Sequence, residues 1–152
     1  MTASETVTSF PVRASRAVVE RSHADICDSR GPATLGRLRK CARRTHLAPR
    51  LDLETLCARR GDAAEDGEFW GVALIQAAAR DRPLIFHGRQ DARASGSECW
   101  LAALLDAVRG GDADSARFIC ERHLDLRVRR LALCFAQRMV EAMSREEERR
   151  AA

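Results

Sequence analysis

Residues Phe69 to Ala79 read Phe-Trp-Gly-Val-Ala-Leu-Ile-Gln-Ala-Ala-Ala, with Gln76 the only polar side chain. Wound as a helix, this stretch is apolar around most of its circumference and has no face to offer water. It is well short of the ~20 apolar residues that a membrane span needs. It must therefore be enclosed by other elements of a folded domain. Its flanks agree with a helix: Glu65, Asp66 and Glu68 favour the positive end of the helix dipole, while Arg80 and then Pro83 mark its close.

The surrounding chain reads as further helices. Ala17, Val18, Ala24 and Ile26 give an amphipathic pattern from Ala14 to about Asp28, broken by Gly31-Pro32. Pro32 is pre-set for a first helical turn, and Leu35, Leu38, Ala42 and Thr45 then recur every three or four residues until Pro49. A shorter helix is expected from Asp52 to Arg60. Ser95-Gly-Ser-Glu98 has the form of a capping box, in which two side chains satisfy otherwise unpaired backbone N–H groups. The helix behind it buries Trp100, Leu101, Leu104, Leu105 and Val108 and stops at Gly110-Gly111. Asp112 caps another running to about His123, and Val128, Leu131, Ala132, Phe135 and Met139 make the buried stripe of the last, with a fraying end from Arg145. Leu84-Ile85-Phe86 is an apolar run with no second strand to pair with, and is read as an extended plug on the core.

The sequence thus predicts an all-α, single-domain bundle of about seven helices around a central apolar helix, Phe69 to Ala79. Residues 1–12 form a flexible arm, 13–145 the bundle and 146–152 a charged tail. The first basic residue is Arg13 and no apolar run precedes it, unlike a secretory signal, so an intracellular, soluble protein is expected. In that setting the six cysteines are expected as reduced thiols rather than disulfides. Paired His23/Cys27 and Cys120/His123 have helical spacing suited to zinc, but neither has the Cys-x-x-Cys form, so no metal and no cofactor is assigned.

Phosphate-binding, serine-hydrolase, zinc-protease and dinucleotide-binding motifs are absent, which leaves no catalytic residue to nominate. Charge is the remaining lead. Residues 1–60 hold twelve Arg or Lys against six Asp or Glu. The segment Arg37, Arg39, Lys40, Arg43 and Arg44 contains no acid. On a helix, Arg37, Lys40 and Arg44 share a face that suits nucleic-acid phosphates, and with the Asp52 to Arg60 helix the pair has the outline of a helix-turn-helix. No aromatic or amide side chain is interleaved to read bases, so this is the alternative reading.

Asp66-Gly67-Glu68-Phe69-Trp70-Gly71 resembles the Asp-Gly-x-Asn-Trp-Gly-Arg motif of the Bcl-2 family of apoptosis regulators, and Gly110-Gly111 resembles the Gly-Gly of that family's second homology motif. The resemblance implies an all-α bundle whose apolar helix is opened by this motif, and a groove that receives a partner's amphipathic helix. Phe69 stands where the family has Asn, and Val72 where it has the partner-binding Arg, so that charge is not carried over. The implied protein is a divergent modulator of apoptosis or innate signalling, virus-encoded or acting on a host. On this reading the protein is a non-enzymatic interaction module with a groove built by Asp66, Trp70, Gly71, Leu74 and Trp100.

Overall fold

The computed structural model describes residues 31–46 and 67–152. They form five helices and no strand: α1 (Gly31–Thr45), α2 (Gly67–Ala78), α3 (Gly96–Arg109), α4 (Ala113–His123) and α5 (Leu126–Ala151). The helices expected at Ala14 to Asp28 and Asp52 to Arg60 lie outside the described residues, as do the 1–12 arm and Asp66.

Helix α2 buries nine residues, among them Trp70, Val72, Leu74 and Ile75. Its most extensive neighbour is α5, followed by α1. Small residues make that closeness possible: Ala73 and Ala77 on α2 and Ala132, Ala136 and Ala142 on α5 are all buried, so the helix axes are not held apart by bulk. Gly71 is the tightest point. A Cβ there would lie 2.5 Å from Cys41 Sγ and 3.1 Å from Met139 Cε, so α1 and α5 both press on the backbone of α2. Trp70 fills the adjacent space, tilted against Phe135 at 6.0 Å between ring centroids and met edge-on by Phe69 at 5.0 Å.

The local signals in the second half of the chain produce the expected ends. Ser95 and Glu98 form a complete capping box on α3, and Asp112 Oδ1 accepts from Ser115 N at 3.0 Å to start α4. Gly111 has φ +71°, a left-handed conformation that a side chain would strain, and it turns the chain from α3 into α4. Arg129 closes α4 from outside: its Nε donates to Leu124 O at 2.9 Å and its Nη2 to Glu121 O at 3.1 Å, giving partners to carbonyls that the helix leaves open.

Two expectations change. The end of the chain is helical to Ala151 rather than fraying from Arg145. It is held because Glu146 accepts from Arg37 Nη1 at 2.8 Å and from Gly67 N at 3.2 Å, tying the last turns of α5 to α1 and to the start of α2. The Leu84-Ile85-Phe86 run has no regular secondary structure, and only Leu84 and Phe86 pack on the core; Ile85, between them, is 64% exposed.

Candidate functional site: the charged edges of helix α2

Of the groove residues drawn from the sequence, Trp70 is 8% exposed, Leu74 0% and Trp100 5%. Gly71 is buried against Cys41 and Met139. The face of α2 expected to receive a partner is therefore turned to the protein's own helices. Among the described residues α5 and α1 are the helices that pack directly on α2, and they cover this face of it. Trp100 is covered on one side by His123, whose ring stacks on it at 4.9 Å with 7° between the planes. Val72, at the position where the family motif has Arg, is buried in the same core.

Open space lies instead at the two ends of α2. At its first turn a cleft of about 450 Å³ runs between α1, α2 and α5, with Cys41 and Met139 at its base and Arg37, Lys40, Glu146 and Arg150 among its walls. Three cations thus face two carboxylates, Glu68 and Glu146. At the opposite end, a cleft of about 350 Å³ is lined by Ala77 and Ala78 of α2 and by Asp81, Arg82, Arg122 and His123.

Lys40, Arg43 and Arg44 of the basic segment of α1 are exposed, but most of the segment's cations are ion-paired within the fold. Lys40 Nζ lies 2.6 Å from Glu68 Oε2, Arg44 pairs with the other oxygen of Glu68, and Arg37 is paired with Glu146. Arg43 is exposed and has no carboxylate partner among the described residues. Arg39 departs furthest from expectation. It is 5% exposed, with Nε donating to Glu98 Oε1 at 2.7 Å and Nη2 to Glu98 Oε2 at 3.1 Å. Its Nη1 also donates to Asp91 O and its Nη2 to Arg93 O, both at 2.8 Å. Nothing in the sequence near α1 signals these partners, because each acid comes from a distant helix.

Glu98 is the hub of this arrangement. It is fully buried and accepts from Ser95 N at 2.8 Å and His87 N at 3.0 Å in addition to the guanidinium. Burial pushes its carboxyl up, but the Arg39 hydrogen bonds and the two backbone N–H groups outweigh burial and hold it below the ordinary carboxylate range. Glu146 behaves likewise: burial raises it, and Arg37 and Gly67 N bring it below its usual value.

Cys120 is buried, and burial pushes its thiol up to about 11, so it is not a nucleophile at neutral pH. No disulfide joins Cys41, Cys99, Cys120 and Cys134 to one another among the described residues. Among the described residues no group of three or more His, Cys, Asp or Glu is placed to hold a metal ion, and no helix is long and apolar enough to cross a membrane. Compared with protein-family models, with curated proteins and with solved structures, the chain matches none.

Proposed function

We propose that this chain is a non-enzymatic protein-interaction module, built as a bundle of about seven helices around α2 as its central apolar helix. It takes a partner's amphipathic helix at the cleft beside the first turn of α2. The observation that carries this reading is the composition of that cleft: an apolar base of Cys41 and Met139 below a rim where Arg37, Lys40 and Arg150 outnumber the carboxylates. Arg150 makes no ion pair among the described residues. Such a site suits a helix with one apolar face and an acidic edge, the apolar side chains supplying buried area and the acids orientation. The all-helical fold of the described residues and the Trp70-Gly71 pair in the first turns of α2, preceded in the sequence by Asp66-Gly67, support a divergent Bcl-2-like regulator of apoptosis or innate signalling.

The test is site-specific crosslinking in cell lysate, with a photoreactive residue at position 150 and, as a control, at the exposed Gln137 on the same helix. A protein crosslinked from 150 but not from 137, resistant to nuclease and lost in Lys40→Glu, supports the cleft. Recovery that depends on nucleic acid, or equal crosslinking from both positions, replaces it with the helix-turn-helix alternative or with no site at this end of α2.

A further inference from the structure

The connection from Ala79 to Ser95 contains no regular helix or strand. Connections of this length within a compact domain are usually functional or mobile. This one is bound down at closely spaced points from within. Arg39 holds the carbonyls of Asp91 and Arg93, Glu98 holds the N–H of His87, and Ser97 Oγ accepts from Ile85 N at 3.1 Å. Ser95 Oγ donates to Ile85 O, and His87 Nδ1 lies 2.8 Å from Arg93 O. Leu84 and Phe86 anchor the segment on the core.

The outer face of the same segment is unlike its inner one. Ile85 is one of three large apolar residues exposed among those described, and both of its backbone polar groups are already satisfied. Arg80, Arg82 and Arg89 are exposed and make no ion pair among the described residues, in contrast to the paired cations of α1. Of the two acids on the segment, Asp91 is occupied by His87 and by Arg93 N, leaving Asp81. A buried ion pair adds little stability over an apolar pair of the same size. What the Arg39–Glu98 pair does supply is a fixed conformation for a loop whose exposed side chains are an aliphatic anchor and unpaired cations.

We infer that the outer face of residues 80–93 is a preformed recognition loop for an acidic segment of a partner protein, with Ile85 as its apolar contact and Arg80, Arg82 and Arg89 as its charge contacts. Preorganisation lowers the ordering cost of binding, so a small surface of this kind is sufficient for recognition. The charge complementarity selects an acidic partner, and the aliphatic anchor selects protein over nucleic acid, whose bases stack on aromatic side chains. This surface is separate from the cleft at the first turn of α2 and stands or falls independently of it.

The probe is a fluorescein-labelled peptide alternating Glu with Leu, titrated by fluorescence anisotropy with the full chain. A poly-Glu peptide and a single-stranded oligonucleotide of equal charge serve as comparisons. The Glu/Leu peptide is expected to bind tightest, to lose about tenfold in Ile85→Asp and in Arg82→Glu/Arg89→Glu, and to weaken as salt rises from about 0.05 M to about 0.3 M. Lys40→Glu, which alters the cleft, is expected to leave this binding unchanged. Both loop variants change exposed side chains and should melt with the parent chain. No binding of the Glu/Leu peptide, unchanged affinity in Ile85→Asp, or tighter binding of the oligonucleotide would overturn the proposal.

Discussion

Replacing Arg39 by Met tests whether one buried ion pair holds the α2–α3 connection in place. Met preserves much of the side-chain volume but removes the cation from Glu98 and the donors from Asp91 O and Arg93 O. Leaving one member of a buried pair alone costs about 3–5 kcal/mol. Against a domain stability of about 5–15 kcal/mol this is a large share, and for a chain of this length it lowers Tm by about 6–20 °C. The pH dependence is more diagnostic than the size. In the parent chain Glu98 has a depressed pKa, so its contribution is complete above the ordinary carboxylate value and is lost as pH falls through the depressed one. In Arg39→Met the carboxyl keeps its burial without its counter-ion, its pKa rises, and protonation relieves the penalty. The stability gap between the two proteins, measured by urea unfolding followed by circular dichroism, should therefore narrow as pH is lowered from about 7 to about 4. A gap below about 1 kcal/mol, or one that does not change with pH, would refute the assignment of Glu98 as a charged, buried hub.

Further outcomes follow from the packing around the same helices. Gly71→Ala is expected to destabilise by about 1–3 kcal/mol despite alanine's better helix propensity, because its Cβ collides with Cys41 Sγ, and Cys41→Gly should recover most of that loss in a double-mutant cycle of thermal melts. Phe135→Ala, which removes the ring packed on Trp70, should cost about 3–5 kcal/mol and shift tryptophan emission to the red. Ser95→Ala removes one half of the capping box and the bond to Ile85 O; about 1–2 kcal/mol and faster amide exchange at Ile85 and Glu98 are expected. In a thiol-titration time course of the native protein near pH 8, exposed Cys134 should react early and Cys120 only on unfolding.

What could be read from the sequence was what depends on neighbours in the chain. The α3 and α4 caps and the Gly110-Gly111 turn each rest on residues a few positions apart, and the structure contains all of them. The burial of Trp70 and Trp100 was legible as apolarity but was assigned to a groove, because a sequence does not say whether the surrounding helices close over an apolar face. The pairing of the charge on α1 is illegible in the sequence for a related reason. Glu98 and Glu146 come from helices remote in the chain, so no local window shows that Arg39 and Arg37 already have partners.

That relocation of charge changes how binding experiments on this protein must be designed. A helix free of acids looks like the natural target for charge removal, yet Arg39→Ala would empty a buried site, and Arg37→Ala would unfasten the end of α5 from α1. Loss of binding in Arg39→Ala would report damage to the fold rather than a lost contact. The cations that can be removed without touching the fold are those with no ion pair among the described residues, and Arg80, Arg82 and Arg89 form such a set on the α2–α3 connection. Since exposed, unpaired charges act through screened fields, their removal should change association rate and salt dependence while leaving Tm in place. Removing the buried Arg39 of α1 should do the reverse, so the two classes of arginine are separable by measuring stability alongside binding.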